Sequence, residues 1–241
     1  MNSTAPQIGF DRFIQLDWAA AALKVRAGTA SLDELNELLD AAGLGAEASA
    51  KTRTKLNALW LEPRAELADF ASHGVEIFKT NPDPSIPALT WGMAIASYPF
   101  FGKVAEFAGR LITLHGDCTS LEIHRRVSEV YGEREVTKRA TQAVIQTQAS
   151  WGAIERVDKG KRLIRRAPMT LTNDQTVAWL VEAVLRYTGK AVSVPTLQSM
   201  AVIYPFVLDQ PLAYVVSNSP TLELRSEGSG NQLVAIHDGR K

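Results

Sequence analysis

One cysteine, Cys118, stands in the 241 residues of the chain, so no intramolecular disulfide can form, and this fits a reducing compartment. An excess of charge is missing too. Lys plus Arg equals Asp plus Glu at 26 each, and the overall balance argues neither for nucleic acid nor against it. No run is long and apolar enough to span a bilayer. The most hydrophobic region, Trp91–Leu114, is interrupted by Pro99, Lys103, Glu106 and Arg110, whereas a span needs about 20 mostly uncharged residues. It reads as a buried helix pair. Met1–Phe10 lacks a basic segment followed by an apolar run, which excludes a signal peptide there, and a soluble cytoplasmic protein is expected.

Signatures of catalysis are also missing. No Gly-x-x-x-x-Gly-Lys-Ser/Thr loop is present to cradle phosphates, and no Gly-x-Ser-x-Gly elbow presents a serine. The histidines His73, His115, His124 and His237 are far apart, without His-Glu-x-x-His or Cys-x-x-Cys spacing, so no metal or other cofactor is expected. Glu155 and Asp158 beside Lys159 faintly resemble a nuclease carboxylate cluster, but cations flank both, and salt pairing explains them better. A non-enzyme is the expectation.

What is present is helical patterning and a charge asymmetry. Residues 1–100 hold 8 Lys/Arg against 12 Asp/Glu, a balance of −4, while residues 119–166 hold 11 against 6, a balance of +5. A basic segment inside a neutral chain leaves a local electrostatic footprint. The N-terminal half reads as successive helices. Phe13, Leu16, Ala20 and Leu23 recur at helical spacing up to Gly28, and Ser31 with Glu34 forms a capping box before Leu32, Leu35, Leu38 and Leu39. A third helix is expected over Glu47–Trp60, with Pro63 as the first residue of a fourth. Asn81–Pro87 carries three prolines and must be a loop, and Pro99 separates helices over Ala88–Ser97 and Phe100–His115.

From Gly116 the pattern changes. Thr119 and Glu122 form a second capping box, opening a helix with Leu121, Ile123, Val127 and Val130 as apolar positions and Tyr131-Gly132 as its close. A helix over Arg134–Trp151 follows, with Val136, Ala140, Ala143, Val144, Thr147 and Trp151 on one face and Gly152 as its stop. Two short runs, Ala153–Val157 and Arg162–Arg166, around Asp158-Lys159-Gly160-Lys161 read as a β-hairpin. Helix, turn, helix, Gly and basic hairpin is the order of a winged helix. Opposite the apolar stripe lie Lys138, Thr141 and Gln142, with Arg134 and Thr137 near the helix start. Gln suits adenine edges, Thr suits thymine methyls or phosphate, and Lys and Arg suit guanine or phosphate. Arg156, Lys159, Lys161 and Arg162 would reach neighbouring phosphates from the wing. In this register Ile145 also points outward, so either the helix is buried on a second side or the phase is off by one residue.

A similar order recurs downstream. Asn173 or Asp174 caps a helix through Tyr187; Pro195–Tyr204 and Gln210–Asn218 read as further helices; and Leu222–Arg225 and Gln232–Ile236 form a hairpin around Glu227–Asn231. The segment Leu212–Val216 is apolar and uncharged, which suits docking or dimerisation better than phosphate. The expected architecture is mainly α: a helical bundle over 1–116, a winged-helix unit over 117–171, and a small winged-helix-like α+β unit over 172–241.

Ala50-Lys51-Thr52-Arg53-Thr54-Lys55-Leu56 before a long helix, Tyr98-Pro99-Phe100-Phe101 opening another, and the helix–Trp151-Gly152–hairpin passage resemble the BrxA family of bacterial BREX phage-defence systems. The resemblance implies a helical, non-catalytic, DNA-binding accessory protein of a defence locus. The residues by themselves point to a double-stranded DNA binder. The alternative is an adaptor that docks to other proteins of a larger assembly through the winged-helix face, with the C-terminal unit available for oligomerisation.

Overall fold

Ser31 and Thr119 open helices as their spacing predicts: each side chain accepts from the backbone N–H three residues on, and Glu34 or Glu122 reaches back to the cap's own N–H. The computed structural model describes residues 6–227 and 231–237. Part of the expected turn Glu227–Asn231, and the first five residues of Met1–Phe10, lie outside them.

Six helices come first: α1 (Leu16–Ala27), α2 (Leu32–Ala41), α3 (Ala46–Leu56), α4 (Ala68–Thr80), α5 (Ile86–Ser97) and α6 (Pro99–His115). The third expected helix continues past Leu56 into a single π-helical turn, Asn57–Leu61, that buries Leu59 and Trp60. A π turn leaves carbonyls exposed at its end, and Arg26 of α1 satisfies two, donating to the Trp60 and Leu61 oxygens at 2.9 and 3.2 Å. Pro63 does not start the fourth helix. It precedes a short 3-10 turn, Ala65–Leu67, whereas Pro87 and Pro99 do lie in the first turns of α5 and α6. Phe13 lies before α1 and not within it.

Beyond α6 come β1 (Asp117–Cys118), α7 (Ser120–Tyr131), α8 (Glu135–Ser150), β2 (Ile154–Val157) and β3 (Arg162–Arg165). β3 lies between β1 and β2, antiparallel to both, with Cys118 opposite Leu163 and Ile154 opposite Arg165. Helix, strand, helix, helix, hairpin, with the first strand on the inner side of the hairpin, is winged-helix topology, and its first helix is α6.

A similar order follows a second time, with one strand, β6, inserted between its second and third helices. After β4 (Met169–Leu171) come α9 (Asp174–Thr188), β5 (Val192–Ser193), α10 (Val194–Gln198), β6 (Phe206–Leu208), α11 (Leu212–Ser217), β7 (Leu222–Glu227) and β8 (Asn231–Ile236). The sheet order β5-β8-β7 repeats β1-β3-β2. The local chemistry repeats as well. A left-handed glycine ends the first helix (Gly116, φ 83°; Gly189, φ 66°), a two-residue strand follows, and a hydroxyl then caps the next helix (Thr119; Ser193). The expected helix over Pro195–Tyr204 is split into α10 and a 3-10 turn at Ala201–Ile203, which lets the chain turn into β6 beside β4.

A single buried cluster draws residues from all three segments. Trp179 of α9 stacks on Phe70 of α4 at 4.3 Å and lies near Trp60 at 6.3 Å. α5 can pass this ring because Gly92 faces it: a Cβ there would come within 2.3 Å of Trp179. Glu182, also on α9, is buried, and its charge is matched by Arg186 Nε and Nη2 at 2.9 and 2.7 Å and by the Thr221 hydroxyl at 2.7 Å.

Candidate nucleic-acid interface

α8 packs on α6 and α7, and the residues it buries are Thr137, Ala140, Thr141, Ala143, Val144, Ile145, Thr147 and Gln148. This corrects the face assigned from sequence. Thr137 and Thr141, expected to meet DNA, are inside, with relative exposures of 0% and 1%, while Val136, expected in the core, is exposed. The rest of the expected stripe, Ala140, Ala143, Val144, Thr147 and Trp151, is buried as expected. Of the two alternatives raised by Ile145 the first holds: the helix is covered on a second side, which takes in Thr137, Thr141, Ile145 and Gln148. Thr141 hides its hydroxyl by donating to the Thr137 carbonyl at 2.8 Å. On α7, Ile123, Val127 and Tyr131 are buried, whereas Leu121 and Val130, expected to be apolar anchors, face outward.

The outward face of α8 carries Arg134, Lys138, Arg139 and Gln146, with Gln142 partly exposed beside them. The sequence pattern does not single out Arg139 and Gln146; they emerge once the buried face is widened to take in 137, 141, 145 and 148, which leaves only a narrow strip outside. Arg134 folds back, donating to the Tyr131 carbonyl at 2.9 Å, and no side chain caps the first turn of α8. A helix start with free N–H groups attracts phosphate, although Glu135 in the same turn opposes that pull.

The hairpin tip is one tight turn, Asp158–Gly160, with Asp158, Lys159 and Gly160 all left-handed (φ 50°, 56° and 83°). Lys159 and Lys161 are exposed there. Arg156 lies partly buried on β2. Arg162 is engaged: its guanidinium pairs with Asp117 of β1, so this wing cation braces the sheet. Among the described residues, Lys138, Arg139, Lys159 and Lys161 have no carboxylate within 4.0 Å, and neither Glu155 nor Asp158 has a cation, contrary to the salt pairing expected for them.

His124 Nε2 lies 3.2 Å from Ser128 Oγ on α7. The Cys118 thiol is buried, and burial first, then the Glu122 and Asp117 charges, pushes it up to about 12, so it stays protonated and poorly nucleophilic. Among the described residues no three His, Cys, Asp or Glu side chains converge as metal ligands, and no helix is long and apolar enough to cross a membrane. No protein family, curated protein or solved structure was found to match this chain.

Proposed function

We propose that this is a non-catalytic, cytoplasmic protein that binds double-stranded DNA with α8 in the major groove and the β2–β3 hairpin on the adjacent backbone. The observation that carries this reading is the uncovered row Lys138, Arg139, Gln142 and Gln146 on α8, whose one acid is Glu135 in the first turn, together with Lys159 and Lys161 at the hairpin tip. Lysines and arginines there neutralise phosphates, while the two glutamines, one turn apart, offer paired donors and acceptors to base edges. The resemblance to BrxA would make the role an accessory one in a phage-defence locus.

A second reading has its own observation. Leu121, Val130 and Val136 are exposed on α7 and α8, and apolar side chains among cations favour a protein partner over a groove. Fluorescence anisotropy on random duplex DNA at several salt concentrations separates the two. The DNA reading expects binding whose log–log salt slope falls by roughly 0.9 for each phosphate left without its cation, so Lys138→Ala/Lys159→Ala/Lys161→Ala should flatten it by about 3. Absence of binding at low salt overturns the DNA reading in favour of the adaptor.

A further inference from the structure

A groove of about 690 Å³ runs between the C-terminal half of α6 and strand β6. Its walls include Leu114 (75% exposed) and Val207 (40%), its floor includes Ile203 and Phe206, and it holds two arginines, Arg110 and Arg165, and no acid. Arg110 is paired with Glu106. Arg165 has no carboxylate partner among the described residues, and its Nε is hidden from solvent without an acceptor. An orphaned buried donor is costly unless something supplies the acceptor.

β6 supplies the second element. It pairs with β4 on one side, and no other described strand pairs with it. Alternate residues carry the bonds of a parallel ladder. Met169 N–H donates to the Pro205 carbonyl and Asp209 N–H to the Leu171 carbonyl, so the odd-numbered residues face β4. Phe206 and Leu208 therefore turn their peptide groups to the open edge. A short edge with an apolar surface and no lysine of its own is a template for another strand.

We propose that this groove docks an extended segment of a partner protein, apolar with interspersed carboxylates, which adds as a strand to β6 and places an acidic side chain on Arg165. The open peptide groups select a polypeptide, the exposed Leu114 and Val207 select apolar side chains, and Arg165, without a carboxylate partner among the described residues, selects negative charge. Arg165 sits at the base of the β2–β3 hairpin, opposite Ile154, and not at its tip. The inference does not rest on DNA binding.

The test is a titration of the full chain with a fluorescein-labelled nine-residue peptide of alternating valine and aspartate. Two comparison peptides replace aspartate by lysine or N-methylate alternate backbone amides. The acidic peptide should bind, and both comparison peptides should bind about tenfold more weakly or not at all. Arg165→Gln and Leu114→Glu should each weaken binding by about tenfold, the latter with an unchanged melting temperature because Leu114 is exposed. The Lys138→Ala/Lys159→Ala/Lys161→Ala variant should bind the peptide like the wild type. Failure of the acidic peptide to bind, equal binding of either comparison peptide, indifference to Arg165→Gln or to Leu114→Glu, or loss in the triple variant overturns the proposal; the last would place the peptide on the basic face.

Discussion

Trp151 and Ile14, 137 residues apart, are tied by a buried hydrogen bond: the indole Nε1 donates to the Ile14 carbonyl at 3.0 Å. The Ile14 N–H in turn donates to Thr147 Oγ1 at 3.0 Å, and that hydroxyl donates to the Ala143 carbonyl at 2.9 Å. The segment before α1 is thereby fastened to the inner side of the proposed recognition helix. Thr147→Val keeps the shape but leaves the Ile14 N–H buried without an acceptor. A loss of about 1–3 kcal/mol is expected, read by urea unfolding, with DNA affinity of the folded fraction unchanged. A variant as stable as the wild type would show that this tie contributes nothing.

Helix α6 meets the turn Ala201–Ile203 across Gly109. A Cβ at this position would lie 2.3 Å from the Ala201 carbonyl oxygen and 2.9 Å from Tyr204 Cβ. Backbone cannot swing aside as a flexible side chain can, so Gly109→Ala forces α6 away from the turn Ala201–Ile203. The gain in helix propensity, roughly 1 kcal/mol, is expected to be smaller than the cost of overpacking, about 1–3 kcal/mol or more. Thermal melting should show a lower midpoint; an unchanged or higher midpoint would mean that the interface is loose.

Thr137 sits fully buried at the start of α8, and its hydroxyl has no hydrogen-bond partner. Replacing it by the isosteric valine removes an unsatisfied polar group, so Thr137→Val should stabilise the fold by about 1 kcal/mol. DNA affinity should not change, because the side chain does not reach the surface. Arg139→Ala should do the opposite, leaving the melting temperature alone and lowering DNA affinity at physiological salt. A loss of DNA affinity in Thr137→Val would restore the helix phase expected from the sequence pattern.

The contrast between these two residues shows where the sequence is readable. Capping boxes at Ser31 and Thr119, the stop at Gly116 and the hairpin after Gly152 are local chemistry, and they locate helices and the wing to within a residue or two. The rotation of α8 is not local. Its inner face contains Thr137, Thr141 and Gln148, which a polar/apolar pattern assigns to water, beside Thr147, which the spacing already places inside. Thr141 and Thr147 enter the core because their hydroxyls bond back to carbonyls four residues earlier, and Gln148 because Tyr204 donates to its Oε1 at 3.0 Å. Val136 is left outside as a result. Strands β1, β4, β5 and β6 have two or three residues each, too few for any alternation to register. They exist because partners distant in sequence supply the other half of each ladder.

Glu106 gives the fold a testable dependence on acid. Its Oε2 accepts from Lys103 Nζ at 2.7 Å and from the Tyr187 hydroxyl at 2.8 Å, and Arg110 pairs with its other oxygen. Burial alone would raise this carboxyl, but the bonds from Lys103 and Tyr187 and the charges of Lys103 and Arg110 outweigh burial and hold it below the ordinary value of 4.5. Burial and the facing carboxylate keep the Tyr187 phenol protonated, so it remains a donor. A carboxyl whose folded-state value is depressed contributes stability that is complete above the unfolded-state value and is lost as pH falls through the folded-state one. Glu106→Gln should therefore be less stable than the wild type at pH 7. The gap should persist down to the ordinary carboxylate range and close below it, where the protonated glutamate and the glutamine are equivalent in charge. Urea melts of both proteins from neutral to acid pH read this directly, and a gap that stays constant at every pH would show that Glu106 acts by shape and not by charge.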